Sequence, residues 1–466
     1  MTPRSQRPCA RTEALVAETG PPKVGASGFA ASAVPSGDHS PTGRSEKAVG
    51  RTADMHAAEK SDDLIVPAKR AAPGIDDVTW QEYVQGFETR LQDLHRRIHQ
   101  DRYRAQPSKR AWITKSDGKL RPLGIAALED KIVQAAMVEL LSQIYEVDFN
   151  GFSYGYRPGK SQHNALDAVS VGLQKRKVNW ILDVDVQSFF DSISHESLLK
   201  ALQVRIGDRR ILALIQKWLT AGVSDQGEWL PTTVGTPHGA VASPFLANVM
   251  LHYILDEWID NWRSGCRGDV IVVRYADDFV IGFQHRFEVE RCLRELRERF
   301  ATYGLHLHPE KTRLIEFGRF AESQRRERGE SRPETFNFLG FTHYCGTTRS
   351  GWFKVGRKPM AERMRMKLVE IKQRLRRRNN DRLDEIGRWL RSVVRGWLQY
   401  FAVPGTSKAL DQFVTEVERL WARALRRRSQ RGRRSWPWTR INKLVQHWIP
   451  PPKIVHPYPD QRLCVK

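Results

Sequence analysis

The stretch DVIVVRYADDFVIGF occupies residues 269–283 and consists of an apolar run, a tight turn and a second apolar run. The pattern predicts a β-hairpin whose tip carries the adjacent carboxylates Asp277 and Asp278. Two acids side by side in an apolar segment repel one another, and partial burial adds a desolvation cost. A divalent cation removes both problems. A solvated Asp-Asp turn is the ordinary alternative, and the hairpin alone leaves the two readings balanced.

A second acidic segment decides between them. In NWILDVDVQSFFDSI (179–193), a short run rich in aliphatic residues leads into Asp185, with Asp183 and Asp191 close in sequence. Phosphoryl transfer by two metals needs carboxylates from separate strands, converging on cations roughly 3.5–4 Å apart. Mg²⁺ suits such a site because it takes oxygen ligands and keeps substrate phosphates in its shell. Period-two alternation puts Asp183 and Asp185 on one side of a strand. Asp185 is the expected ligand, with Asp183 or Asp191 as structural acids. A third segment, RAWITKSDGKLRPLGIAAL (110–128), reads as strand, turn at Asp117-Gly118 and strand, with Lys115, Lys119 and Arg121 flanking the turn. Lys119 and Arg121 alternate onto one face, suited to grip a triphosphate.

The rest of the chain frames these segments. Residues 1–60 are rich in Gly, Ser, Ala, Pro and charge, and are expected to be disordered. The stretch 79–100 has helical spacing with Thr79 as N-cap, and 128–146 reads as an amphipathic helix. Helix and strand signals alternate to about 345, which implies an α+β domain. Past 357 the chain turns helical and basic, with the runs LRRRNN (375–380) and LRRRSQRGRR (425–434), and ends in a proline-broken tail. Trp389, Trp397 and Trp421 in this region read as core residues.

The 466 residues carry 76 Lys plus Arg against 53 acids, a formal net charge of +23. A clustered excess of this size points to a polyanionic partner, since each cation placed on a phosphate releases counterions. The five cysteines are dispersed without a C-x-x-C pair, which argues against a disulfide framework or a zinc site. No stretch is apolar enough to span a membrane, and the first residues lack the apolar core of a secretory signal. A cytoplasmic setting is expected.

The order of motifs resembles that of bacterial group II intron reverse transcriptase/maturases. The matching segments are APGIDDVTW, SDGKLRPLGIAALEDKIVQ, FNGFSYGYRPGKSQHNAL, LDVDVQSFFDSI, GTPHGAVASPFLANVML, RYADDFVIGF, GLHLHPEKTRLIEFGRF and FNFLGFTH. They run in the family's order, and the likeness continues through WLRSVVRGWLQYFAVPG, LRRRSQR and PPPKIVHPYPDQR.

The resemblance implies right-hand polymerase fingers and palm over 71–345, with an RRM-like antiparallel palm sheet. A helical thumb and maturase domain is implied over 357–463. It implies an RNA-directed DNA polymerase with Asp185, Asp277 and Asp278 as ligands for two Mg²⁺ ions, and Lys119 and Arg121 on the triphosphate. Phe190, which alone reads as a core aromatic beside Phe189, falls at the steric gate that selects deoxynucleotides. Lys311 falls on a basic residue near the active site. Implied partners are a group II intron RNA, an RNA template with a DNA primer and deoxynucleoside triphosphates, with room for a DNA target. Arg426, Arg427 and Arg428 are the expected RNA contacts, and the bacterial cytoplasm is the implied location.

The sequence departs from the family pattern in three places. His238-Gly239 stands where Gln-Gly is usual. Asp77 replaces a Gly after shortened N-terminal helices. No C-terminal H-N-H region with paired cysteines is seen, so no DNA endonuclease is expected. Two rival readings follow: a non-catalytic splicing factor that retains the polymerase fold, and a reverse transcriptase recruited to another bacterial system.

Overall fold

The computed structural model describes residues 72–463, apart from 115–119, 238 and 429–431. The segment expected to be disordered, 1–60, therefore lies outside the described residues, as do Lys119 and His238.

The structure is organised around a four-stranded antiparallel sheet. The strands among the described residues are numbered in chain order: β1 (Ser108–Thr114), β2 (Leu120–Ile125), β3 (Trp180–Val184), β4 (Val223–Asp225), β5 (Glu228–Leu230), β6 (Val270–Tyr275), β7 (Asp278–Phe283), β8 (Arg313–Glu316), β9 (Phe336–Phe338), β10 (Phe341–Thr347) and β11 (Phe353–Pro359). The central sheet has the order β6-β7-β3-β8. Helices fill the connections from β3 to β6 and from β7 to β8. That is the split βαβ arrangement of RRM-like folds.

Alternation along the strands explains their unbroken apolar runs. Leu182, Val184, Val272, Phe279, Ile281 and Phe283 enter one core, packed with helices Ser243–Leu251 and Arg286–Thr302. Ile181, Val273, Val280 and Ile315 enter a second core on the opposite face. With both faces covered, neither has room for the polar half of an alternating pattern.

The second core also takes in β9–β11 and the helices Ala361–Arg377, Leu383–Phe401, Ser407–Arg426 and Trp438–Trp448. Trp421 is fully buried, Trp397 is buried and Trp389 packs at the margin, in line with their reading as core residues. A separate sheet of order β2-β1-β4-β5 lies in the N-terminal half.

Two local expectations change. The helix expected over 79–100 is two helices, Trp80–Val84 and Phe87–His99, broken at Gly86, whose φ of 82° no regular helix accommodates. Thr79 does cap the first, in a capping box with Glu82. β3 stops at Val184, one residue short of Asp185. No described helix is long and apolar enough to cross a membrane.

Candidate active site

The hairpin reads as the sequence suggested. β6 and β7 pair from Val270↔Phe283 to Tyr275↔Asp278, so Ala276 and Asp277 form a two-residue turn. Ala276 has φ 57°, a region that costs any residue with a Cβ and persists only when its surroundings enforce it. Arg274 provides much of that enforcement. Its guanidinium is fully buried and donates to the Ala276 carbonyl at 3.0 Å, to Asn248 Oδ1 at 2.9 Å and to Asp256 Oδ1 at 2.7 Å, with a further bond to Asp256 Oδ2.

Asn248 in turn donates to the Gly155 carbonyl at 2.6 Å. Gly155 lies so close to the turn that a Cβ there would fall 2.3 Å from the Ala276 nitrogen. Residues 152–154 run beside β6, with Arg274 N–H bonding the Phe152 carbonyl and Tyr154 N–H bonding the Arg274 carbonyl.

The register brings the second acidic segment to the same place. Val184 faces Phe279, so the next step along each strand sets Asp185 beside Asp278. Asp185 is fixed by its backbone: its carbonyl accepts from His308 N–H at 2.8 Å and from Thr312 Oγ1 at 3.3 Å. Its carboxylate is 45% exposed and lies 3.3 Å from Lys311 Nζ. Asp183 is only 14% exposed and pairs with Arg313 on β8 at 3.1 Å, so its charge is already engaged.

Asp278 is held by the tight turn between β9 and β10. There Leu339 (φ 47°) and Gly340 (φ 81°) join the Phe338–Phe341 pair, and Leu339 N–H bonds the Asp278 carboxylate. Tyr400 from helix Leu383–Phe401 donates to the Leu339 carbonyl at 2.7 Å and so braces the turn. Burial, then the charges of Asp183, Asp277 and Asp185, push the Asp278 carboxyl up to about 8. Four carboxylates within electrostatic reach of one another, with one resisting ionisation, make a donor set of hard oxygens that a divalent cation would relieve. Among the described residues, no three His, Cys, Asp or Glu side chains close a metal cage by themselves. Mg²⁺ commonly uses one or two carboxylates and takes its remaining ligands from water and substrate phosphates.

Phe190 lies in the short helix Phe189–Ser192, entered through Ser188 at φ 46°. It is 9% exposed, with its ring edge-on to Phe189 at 5.5 Å. Its carbonyl accepts from Thr236 N–H at 2.8 Å, which ties it to the segment leading to His238. Arg121 is exposed on β2, opposite Ile113. At the end of helix Ser407–Arg426, Arg427 is exposed. Arg426 donates to the Trp436 carbonyl, and Arg428 to those of Arg378 and Asp381.

Sequence reasoning missed Tyr156. It has φ 54°, is 56% exposed, and its ring lies 6.2 Å from that of Tyr275. Burial of part of the ring and the charge of Asp277 raise its phenol pKa, while Arg121 opposes them, so the hydroxyl lies within reach of both charges. The clamp formed by Arg274, Asp256 and Asn248 was also missed. Its signal was present: an arginine at the end of an aliphatic strand needs a buried partner.

The four-stranded sheet, its hairpin turn and the carboxylates beside it form a palm-type arrangement. Residues 113–343 match the family model described as "Reverse transcriptase (RNA-dependent DNA polymerase)". Protein YkfC of Escherichia coli (strain K12) is 34% identical over 273 residues, 52% of this chain and 72% of that protein. An "Uncharacterized 91 kDa protein in cob intron" of Schizosaccharomyces pombe is 38% identical over 167 residues, 36% of this chain and 20% of that one. Group II intron-encoded protein LtrA of Lactococcus lactis subsp. cremoris is 35% identical over 179 residues, 37% of this chain and 29% of that protein.

The chain belongs to the reverse transcriptase family, the RNA-dependent DNA polymerases. It spans less than a third of the length of the second and third of these relatives. Reverse transcriptases as a family use divalent metal ions.

Proposed function

We propose that this chain copies RNA into DNA, extending a DNA primer on an RNA template with deoxynucleoside triphosphates, and assists the splicing of a group II intron RNA. The observation that carries the reading is the convergence of Asp185, Asp277 and Asp278 at the end of a sheet locked between two cores. Asp185 and the turn residues would hold two Mg²⁺ ions, which supply a lowered pKa at the primer 3′-hydroxyl and charge stabilisation at the leaving pyrophosphate.

The chain's own residues do the positioning. Arg274 and Gly155 fix the turn, and the 306–312 segment fixes Asp185. Lys119 and Arg121 grip the triphosphate. Phe190 bounds the sugar and excludes a 2′-hydroxyl, with His238 on the template side of the nucleotide. Lys311, beside Asp185, holds positive charge near the reacting phosphates. Arg426, Arg427 and Arg428 belong to the surface offered to intron RNA, with Arg427 the most accessible of the three. The natural setting of this activity is the bacterial cytoplasm.

The test is primer extension with purified protein, an RNA template, deoxynucleotides and Mg²⁺. Excess chelator should stop it. Extension that continues without divalent metal would refute the assignment.

A further inference from the structure

The helices Ala361–Arg377 and Ser407–Arg426 pack against each other and leave a cavity of about 420 Å³ between them. One side is lined by Lys372, Leu375, Arg376 and Asn379, the other by Leu420, Arg423, Ala424 and Arg427. Each set follows the spacing i, i+3, i+4, i+7, so each is one helix face continued into its terminal turn. Leu375 is buried and Leu420 and Ala424 partly so, which gives the cavity an apolar floor. Lys372, Arg376, Arg423 and Arg427 are exposed around it.

Neighbouring cations on these helices have partners. Lys367 pairs with Glu370 at 2.9 Å, Arg378 with Asp381 at 3.3 Å and Arg419 with Glu416 at 2.6 Å. Among the described residues, no carboxylate pairs with any of the four around the cavity. Four like charges about one opening repel each other, and an anion would relieve them.

A bare phosphate would use only the rim. The apolar floor and the volume, which falls within the range of ligand pockets, call for a larger group with an apolar face. The Asn379 amide offers both a donor and an acceptor. We infer that this interhelical cavity receives a single unpaired nucleotide of a bound RNA, with its phosphate among the four cations and its base on Leu375, Leu420 and Ala424. Proteins that read RNA by sequence take bases that are splayed out in this way, whereas a continuous duplex keeps its bases stacked and paired. The inference rests on the reading that the chain binds RNA.

Filter binding across a salt series tests it, with a single-stranded oligoribonucleotide and a fully paired RNA duplex as probes. Arg376→Ala with Arg423→Ala should weaken binding of the single strand and lower its salt slope by about one to two. Ala424→Trp fills the floor and keeps all four cations. It should weaken the single strand at least tenfold and leave the duplex unchanged. Leu420→Gln removes apolar floor without adding bulk and should act in the same direction, and circular dichroism confirms that each variant is folded. Equal effects of Ala424→Trp and Leu420→Gln on both probes, or none on either, would overturn entry of a base. An unchanged salt slope in the arginine variant would overturn the cavity as an RNA contact. Wild-type protein that retained neither probe would instead remove the RNA-binding reading beneath it.

Discussion

Replacing Arg274 with alanine strips four hydrogen bonds from one buried point: two to Asp256, one to Asn248 and one to the Ala276 carbonyl. Asp256 would be left buried without its cation. Breaking a buried pair from one side costs about 3–5 kcal/mol, which is roughly two to three and a half decades in the unfolding equilibrium. Catalysis should suffer separately. The left-handed Ala276 carries strain of about 1–3 kcal/mol that its surroundings must oppose, and an error of about 1 Å in placing a reacting group costs about a hundredfold in rate.

Urea denaturation gives the first effect. Single-turnover primer extension, run where the variant remains folded, gives the second. The double variant Arg274→Met with Asp256→Leu removes both charges. It should recover much of the stability, since paired apolar replacements are tolerated where single deletions are not. It should not recover the rate, because the Ala276 carbonyl still lacks its donor. A wild-type denaturation midpoint in Arg274→Ala would refute the buried clamp. Full recovery of the rate in the double variant would refute its hold on the turn.

Three further outcomes are expected. Phe190→Val should raise ribonucleotide incorporation relative to deoxynucleotide incorporation and also lower stability, because Phe190 is packed in the core; a shift in stability with no change in the ratio would leave it a core residue only. Lys311→Met removes an exposed ion pair with Asp185, so stability should change by less than about 1 kcal/mol while extension slows, and an unchanged rate would separate Lys311 from the chemistry. Burial raises the Asp130 carboxyl from 3.8 to about 6, so the folded chain keeps a proton that the unfolded chain has released. Its contribution to stability should therefore be full below about pH 4 and fall as pH rises to about 6. Asp130→Asn should flatten that limb in urea midpoints measured across this range, and an unaltered limb would count against the assignment.

What the sequence made visible follows from what each feature depends on. β3, β6 and β7 are covered on both faces, so their apolar runs stand out without knowledge of their partners. Asp185, Asp277 and Asp278 interrupt or end those runs, which is why they stood out too. β4 and β5 have three residues each and too little pattern to be seen.

Other features depend on long-range pairing. Asp278 is reached by Leu339, and Arg274 by Asn248 and Asp256; the strand-end arginine signalled that a buried partner exists, but no local pattern identifies the partners in either contact. Nothing in the sequence around Gly155 records its close approach to Ala276. Two of the four cations of the interhelical cavity, Arg376 and Arg427, lay in the basic runs of the sequence, and Lys372 and Arg423 lay outside them. Their convergence with Leu375, Leu420 and Ala424 needed the helix pair.

The most direct test of the account is Asp277→Asn, assayed in parallel for RNA-templated DNA synthesis and for RNA binding. The change removes a carboxylate from the turn while keeping its size and leaving the basic helices untouched. Synthesis should fall by about a thousandfold or more, because phosphoryl transfer depends on charge stabilisation at this site. RNA affinity should stay within about twofold of wild type, since it rests on phosphate contacts spread over the C-terminal helices. Near-normal synthesis by Asp277→Asn, or loss of RNA binding together with synthesis, would contradict the account.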